Sequence, residues 1–281
     1  MACRRAGRGC DNPPTMRDGD LLAAAEALER EASERRVTYF CGRVGGQARR
    51  LLDVGCGNGY AVAAWRRRGV GAAGVDLSFY RLGRWVEQHR AGRPFVLADA
   101  GALPFPAGAF DAVVSSGMIE HIGVSETANP YRVRAHADRD RAREAVVAEL
   151  ARVTRAGGTT LVDCPNGAFP IDFWHGDRLG AFRAHRVPDS LLPAFGDFVK
   201  WARAAGRVAR LETLSGRLAF RQVSRRWWGR LLAAPMALLL RGLDALVERG
   251  WMSVAARTYP YLVVALRAQV PRQPATLDPV A

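Results

Sequence analysis

A ten-residue stretch, LLDVGCGNGY at positions 51–60, constrains the fold of this chain more than any other feature. It begins as a short apolar strand that carries Asp53, continues as a turn with glycines at alternate positions, and leads into a helix from Tyr60. Glycine permits positive φ and a close approach of ligand to backbone, and the helix directs its free N–H groups into the same turn. The stretch therefore predicts a strand-loop-helix unit that binds a nucleoside-containing ligand.

The glycine spacing distinguishes two classes of nucleotide-binding enzyme. The dinucleotide fingerprint G-x-G-x-x-G would need a glycine at position 60, where this chain has Tyr60. With an acid two residues before its first glycine, the stretch instead resembles the first motif of class I methyltransferases that use S-adenosylmethionine, in particular the broad type 11 subgroup that acts on small molecules. A dinucleotide-dependent oxidoreductase remains one alternative, and a non-catalytic scaffold that binds the cofactor is another.

Three acids follow three successive predicted strands. Asp53 lies in the first strand, Asp76 ends the strand 72–76, and Asp99 follows the strand 93–98. Ligands of open α/β sheets bind at the carboxyl ends of the strands, so we expect these acids to converge on one crevice. Asp76 lies about 20 residues after the glycine turn, where an acid reaches a ribose diol. A cap of the following helix is its alternative role.

The resemblance extends to about residue 166 and implies roles for individual residues. Its later motifs include SSGMIEHI at 115–122 and ELARVTRAGGTTLVDCPN at 149–166. It implies that Asp53 binds the amino end of the donor, that Asp99 and the backbone of Ala100 contact adenine, and that Ser115 and Ser116 lie beside the methionyl part. The predicted cofactor-binding residues are Asp53, Gly55, Gly57, Asn58, Gly59, Asp76, Leu77, Asp99, Ala100, Ser115 and Ser116.

Two histidines are candidates for proton transfer. His121 belongs to the SSGMIEHI motif, where many proteins of the resembling class have a structural histidine. His175 lies in an aromatic loop after the fifth strand, and we rank it above His185. A histidine there could deprotonate an acceptor hydroxyl, since its pKa lies near working pH; the alternative is a packed loop with Trp174 buried. The histidines and acids show no ligand spacing, so no metal site is predicted.

The order of predicted elements indicates an α/β fold, a Rossmann-like seven-stranded, mostly parallel sheet with helices on both faces and a helical insert before the last strand. Residues 1–18 and 270–281 are expected to be a disordered and a loose tail. The domain would span 19–269, with a cofactor-binding core at 51–166 and acceptor-side loops and a helical lid at 167–258. In more detail, we expect a loop at 123–136, helices at 138–155, 188–205 and 225–249, and a last, antiparallel strand at the sheet edge over 259–267.

Composition bears on the partners. The formal charge of +14 comes almost entirely from arginine, which indicates codon bias more than a polyanionic partner. Enzymes that methylate amino groups of nucleic acids have an NPPY-like tetrapeptide at the end of the fourth strand. This tetrapeptide is missing there, so nucleic acid is not expected as the acceptor. The helix at 225–249 is too apolar for an ordinary surface helix, which leaves a lid, a homodimer face or a peripheral membrane contact through 225–250 open.

Five scattered cysteines form no C-x-x-C pair, and the N-terminus has no apolar signal region. We therefore expect a cytoplasmic location, which would be peripheral at the membrane if residues 225–250 bind lipid. Taken together, these features predict methyl transfer from S-adenosylmethionine to an oxygen or nitrogen of a small-molecule, glycan-like or lipid-like acceptor.

Overall fold

The computed structural model describes residues 18–44, 48–88, 94–128, 131–175, 183–184, 191–217 and 227–268. The predicted tails lie outside the described residues, except that Asp18 begins the first helix. His185 also lies outside them. Among the described residues no helix combines the length and the apolar character that a membrane span requires.

One sheet contains seven strands, which we number with the two small ladders in chain order. The sheet strands are β1 Arg50–Val54, β2 Gly71–Asp76, β3 Phe95–Leu97, β4 Phe110–Ser116, β7 Thr154–Pro165, β10 Arg207–Leu211 and β11 Tyr261–Ala268. The ladders are antiparallel pairs, β5 Val124–Ala128 with β6 Tyr131–Ala135 and β8 Ile171–Asp172 with β9 Arg183–Ala184.

The helices of the described residues are α1 Asp18–Val44, α2 Tyr60–Arg67, α3 Phe79–Gln88, α4 Arg139–Val153, α5 Phe195–Ala204, α6 Trp227–Glu248 and α7 Met252–Thr258. A 3-10 turn, Ile119–His121, follows β4.

The strand order is β10-β11-β7-β4-β1-β2-β3, and every pairing is parallel except those of β11. The chain moves outward from β1 through β2 to β3, then returns and moves the other way from β4 to β7. Since parallel crossovers are right-handed, this reversal places α2 and α3 on one face and α4 on the other. The predicted fold class is confirmed, and its reversal point between β1 and β4 marks the expected ligand crevice.

Two predicted elements need correction here. The last strand is antiparallel as expected, but β11 lies between β7 and β10, so β10 forms the sheet edge. The helix predicted at 138–155 ends at Val153, and the glycine pair at 157–158 lies inside β7. There the β4–β7 register shifts, and a Cβ on Gly158 would lie 2.7 Å from the Asp111 carbonyl oxygen. The pair serves close strand packing rather than helix termination.

The predicted loop at 123–136 is wrong, because these residues form the β5–β6 hairpin. Glycine and proline in this stretch indicated a loop. The structure instead pairs β5 with β6 in antiparallel register, from Val124 opposite Ala135 to Ala128 opposite Tyr131. The helix expected at 188–205 starts only at Phe195. Leu191 and Leu192 are buried ahead of it, and the Asp197 carboxylate accepts the Ala194 N–H at 2.8 Å, which sets the helix start.

The helical insert before the last strand is confirmed as α6 and α7. Asp244 of α6 is only 5 % exposed. The first part of the helix has exposed apolar side chains, with Leu231 and Leu238 each more than two-thirds exposed, whereas Leu240 and Leu243 join the core. A lid, dimer or lipid-contact role for this helix stays a prediction.

Candidate functional site

The glycine turn after β1 has the backbone conformation that its sequence predicts. Gly55, Gly57 and Gly59 all have positive φ, at 78°, 56° and 79°. A Cβ at Gly55 would lie 2.6 Å from the Met118 Cγ, whereas a Cβ at Gly57 would meet only the Glu29 Oε1 at 3.7 Å. Glycine is therefore required by packing at position 55 and by conformation at all three, and the turn leaves open space beside position 57.

Asp76 closes the turn from the neighbouring strand. One of its carboxylate oxygens accepts the Gly57 N–H at 2.9 Å, and the other accepts the Ser78 N–H at 2.9 Å. A carboxylate oxygen offers two lone pairs, so both oxygens keep an acceptor position for a ribose hydroxyl. The bond to the Ser78 N–H fits the alternative role of Asp76 as a cap of the following helix. This role is compatible with ribose binding.

Asp53 is only 4 % exposed within β1. Burial raises its pKa to about 6 against the opposing effect of Arg36, and the neighbouring charges of Asp163 and Asp76 raise it further. A buried carboxyl group of this kind fits a cationic ligand group, because a positive partner would offset the cost of its charge. The donor set, with Asp53 for an ammonium and Asp76 for a diol, matches the chemistry of S-adenosylmethionine.

The other predicted cofactor residues differ in what they offer. Asp99 is exposed and accepts the Gly101 N–H at 2.8 Å, and Leu77 is 68 % exposed beside it in the crevice expected for adenine. Ala100 is buried. Asn58 is buried too, but its side chain bonds within the protein: it donates to Glu29 at 2.7 Å and accepts from Arg81. Only its backbone stays available to a ligand.

Helix α1 lies over the glycine turn. Glu29 reaches Asn58, the Arg30 guanidinium lies 5.0 Å from the centre of the Tyr60 ring, and Glu26 pairs with Arg84 of α3. The helix thus ties the turn to α3.

Ser115 and Ser116 end β4, beside a buried ionic network that the sequence did not reveal. Ser115 is fully buried, and its Oγ has no hydrogen-bond partner. The Ser116 hydroxyl donates to Asp163, which Arg217 Nε also contacts at 2.6 Å. The Tyr261 hydroxyl donates to the same carboxylate at 3.2 Å. These groups come from three neighbouring strand ends and one turn, so only the sheet order brings them together.

Asp244 of α6 holds the turn that presents Arg217. Its carboxylate accepts the N–H groups of Leu214 and Ser215 at 2.8 and 3.0 Å and the Tyr259 hydroxyl. Burial acts to lower the pKa of Arg217, but the charge and hydrogen bond of Asp163, together with the charges of Tyr261 and Tyr39, outweigh burial and raise that pKa. The helical insert therefore stabilises the turn that places Arg217 in the ionic network.

The side chains of the two candidate histidines, His121 and His175, are in contact. Their rings pack edge to face with centroids 5.3 Å apart. His175 Nδ1 lies 2.8 Å from Asp172, and His121 Nδ1 lies 2.5 Å from Glu126. Burial acts to raise the pKa of Asp172, yet its hydrogen bonds with His175 and Trp174 outweigh burial and lower it. The prediction ranked His175 first, and the structure adds a buried carboxylate that orients its ring.

The aromatic side chains next to His175 are partly exposed. Trp174, expected to be buried if the loop were only packed, is 44 % exposed, and Phe173 is 39 % exposed. The Trp174 ring lies 4.9 Å from the Tyr261 ring, next to the ionic network. Sequence reasoning missed Asp172 and Glu120, although both stand within three residues of a candidate histidine.

Glu120 completes the group. It is 2 % exposed, its Oε2 has no hydrogen-bond partner, and burial raises its pKa to about 7. The Asp163 charge raises the pKa of both Glu120 and Asp53, so Asp163 lies within electrostatic reach of both. Met118, two residues before Glu120, packs on the glycine turn, since a Cβ at Gly55 would lie 2.6 Å from its Cγ. The 3-10 turn that carries Glu120 and His121 therefore adjoins the donor side.

The fold and the glycine turn with its acids define an α/β nucleotide-binding protein of the class I methyltransferase type. The family model described as "Methyltransferase domain", of type 11, matches residues 52–162. Residues 52–162 therefore match a methyltransferase domain of the class I type, whose cofactor is S-adenosylmethionine. This assignment removes the dinucleotide-dependent oxidoreductase that the glycine turn had left open.

Similar proteins agree with the domain assignment. Malonyl-[acyl-carrier protein] O-methyltransferase of Serratia marcescens is 33 % identical over 138 residues, which are 49 % of this chain and 46 % of that protein. An uncharacterized methyltransferase of Mycolicibacterium gilvum is 28 % identical over 200 residues, 64 % of this chain and 68 % of that protein. The chain spans about half the length of most curated relatives that it matches.

A solved structure extends the likeness of fold over most of the chain. The Haemonchus contortus phosphoethanolamine N-methyltransferase 2, in complex with phosphomonomethylethanolamine and S-adenosylhomocysteine, has a TM-score of 0.51 and 19 % identity. The likeness covers 83 % of this chain and 53 % of that one. At this identity it concerns the fold alone.

Proposed function

We propose that the chain transfers a methyl group from S-adenosylmethionine to a hydroxyl oxygen of a small-molecule, glycan-like or lipid-like acceptor. One observation carries the proposal: His175, oriented by the buried Asp172, packs against His121 of the 3-10 turn that adjoins the glycine turn. Asp163, which bonds Ser116, stands within electrostatic reach of Asp53 and of Glu120 beside the histidines.

On the donor side the residues bind and orient. Asp53 accepts the ammonium of the donor, Asp76 accepts the ribose hydroxyls, and Leu77 with Asp99 and Ala100 lies along adenine. The space beside Gly57 lets the ligand approach the backbone. When bound, S-adenosylmethionine supplies a methyl group on a cationic sulfur, and the sulfur keeps the electron pair of the broken bond. Alignment of donor and acceptor by these residues supplies much of the rate.

On the acceptor side His175 takes up the hydroxyl proton. Its Nδ1 faces Asp172, so Nε2 is the nitrogen that meets the acceptor, and the carboxylate stabilises the imidazolium that forms. A neutral amine can attack the methyl group without losing a proton first, whereas a hydroxyl needs a base. The histidine–carboxylate pair therefore favours a hydroxyl over an amine as the acceptor group. His121 packs against the His175 ring and positions it.

Two further facts support an acceptor with an oxygen nucleophile and an apolar part. The Serratia marcescens relative is named an O-methyltransferase. The exposed Phe173 and Trp174 rings line the same loop as His175, and an aromatic wall of this kind binds apolar surface.

The donor site is tested by calorimetric titration with S-adenosylhomocysteine. We expect saturable binding, weakened by about 1–3 kcal/mol in Asp76→Ala because buried polar partners are left unmatched. Asp140→Ala, which removes an exposed acid of α4, is the matched control and should bind as the wild type does. Absence of binding by the folded wild-type protein would contradict the proposal.

Turnover separates the enzyme from the non-catalytic scaffold. Purified protein is incubated with S-adenosylmethionine and a panel of phenols, sugars and hydroxylated acyl compounds, and acceptor-dependent S-adenosylhomocysteine is measured. We expect product with at least one class and a large loss in His175→Ala that leaves S-adenosylhomocysteine binding intact. Binding without product across the panel would favour the scaffold.

A further inference from the structure

Three potential metal ligands meet where the 3-10 turn after β4 approaches the loop after β7. Glu120, His121 and His175 each offer one ligand atom, and these atoms all lie within 4.8 Å of one another. Sequence spacing does not reveal this group, because His175 is remote in the chain from Glu120 and His121. The tertiary structure creates a spacing that no local motif shows.

The hydrogen bonds of both histidines leave the same nitrogen free. Nδ1 of His121 faces Glu126 at 2.5 Å, and Nδ1 of His175 faces Asp172 at 2.8 Å. A carboxylate at Nδ1 fixes the tautomer that keeps the lone pair on Nε2. Metal-binding histidines show this arrangement regularly, because the outer carboxylate orients the ring and increases its basicity.

Outer-shell support continues beyond the first carboxylates. The Tyr131 hydroxyl donates to the second oxygen of Glu126 at 2.8 Å, and Asp172 accepts the Trp174 N–H at 2.9 Å. Both carboxylates are thus held in place by groups that do not touch the cluster centre. Such support is needed for a site to keep its geometry.

Glu120 supplies an independent observation. It is 2 % exposed, and its Oε2 is a buried carboxylate oxygen without a hydrogen-bond partner. A buried polar atom left unmatched is costly, and native structures rarely keep one without a use. A cation between this oxygen and the histidines would supply the missing partner.

We propose that Glu120, His121 and His175 bind one divalent transition-metal ion. Two imidazoles and a carboxylate suit Zn²⁺ or a neighbouring first-row ion, whereas Mg²⁺ and Ca²⁺ prefer oxygen ligands. Ligand atoms at ~2.1 Å from a tetrahedral ion lie about 3.4 Å apart. The cluster therefore contracts on binding, which the 42 % exposed His121 side chain can accommodate by rotation.

The ion would act on the acceptor, a role that rests on the proposed methyl transfer, whereas ion binding does not. Three protein ligands leave a coordination position open. An acceptor hydroxyl bound there loses its proton to solvent water more readily, because the cation stabilises the resulting oxyanion. The Nε2 lone pair of His175 cannot bind the ion and a proton at once, so His175 takes up the acceptor proton only when no ion is bound, and solvent water takes it up when the ion is bound.

The test titrates chelator-treated protein with Zn²⁺ by calorimetry and with Co²⁺ by visible absorption. We expect one ion per chain and a tetrahedral-type Co²⁺ spectrum. His121→Ala and Glu120→Gln should each weaken Zn²⁺ binding by more than 100-fold, and Asp172→Asn by about 10–100-fold. His136→Ala is the matched control, because the side chain of this exposed histidine contacts Ser125 in the hairpin next to the cluster.

Titration of every variant with S-adenosylhomocysteine shows whether it is folded. Wild-type protein that binds no Zn²⁺, or His121→Ala and Glu120→Gln variants that bind it as tightly as the wild type, would overturn the site. So would an equal loss in His136→Ala. Zn²⁺ binding without methyl transfer would uphold the site and refute the proposed function, whereas turnover that is unchanged by chelation, in a chain that binds no Zn²⁺, would refute the site alone.

Discussion

At the scale of single residues, the site depends on carboxyl groups whose charge is costly until a ligand arrives. Asp53 is the sharpest case, since burial raises its pKa to about 6 and two nearby acids add to the effect. Its folded pKa lies above its value in an unfolded chain. It therefore contributes stability at low pH that is lost as the pH rises toward 6, and a cationic ligand reverses that loss.

This pKa predicts a pH dependence of donor binding. Asp53 must be ionised to accept an ammonium group, so the affinity for S-adenosylhomocysteine should rise by about tenfold between pH 5 and pH 7. Calorimetry across this range measures the change. Methylthioadenosine, which lacks the amino acid end, is the matched control and should show a flat profile. A flat profile for both ligands would show that Asp53 does not bind the ammonium.

At the scale of elements, α1 is the part of the fold that closes over the glycine turn. Glu29 bonds Asn58 at 2.7 Å, and Glu26 pairs with Arg84 of α3. Arg30 adds a contact with the Tyr60 ring at the start of α2. The helix is thus positioned to respond when the turn below it is filled.

We predict that Glu29→Ala loosens α1 locally. Amide hydrogen exchange over the middle of α1 should become several-fold faster, because the Asn58 contact is lost, while the sheet keeps its protection. Glu31→Ala is the matched control, since Glu31 forms an exposed pair with Arg35 one turn away in the same helix. Equal acceleration in both variants would mean that the Asn58 contact does not anchor the helix.

The insert acts as an element in another way. Asp244 of α6 fixes the 214–215 turn, and that turn places Arg217 against Asp163. We predicted that this helix serves as a lid or an interface. It therefore also stabilises the turn that holds Arg217 against Asp163.

At the scale of the whole molecule, donor binding and folding are linked. A ligand that binds only the folded state adds about 2.7 kcal/mol of stability at 100 times its Kd. For a chain of this size we expect the Tm to rise by about 5 °C. Differential scanning calorimetry with S-adenosylhomocysteine measures the shift, and at the same ligand concentration Asp76→Ala should show a smaller one. A shift that Asp76→Ala leaves unchanged would place the ligand elsewhere.

The sequence alone determined the donor half of this protein. Residues 51–60 predicted the β1 strand, the positive-φ glycines and the start of α2, because strand, turn and helix follow from local pattern and backbone sterics. The acids after β1, β2 and β3 could be placed on one crevice because parallel strands share a carboxyl edge. Local signals also gave the wrong result for residues 123–136, where turn residues concealed a hairpin.

Only the tertiary structure decided the acceptor half. The Asp163–Arg217 pair joins β7 to a turn held by α6, and Glu120, His121 and His175 meet across two loops. These contacts link residues far apart in the chain, and their geometry depends on strand order, on the insert and on how the loops pack. No periodicity or spacing encodes such distances, because the sequence carries them only through the fold as a whole.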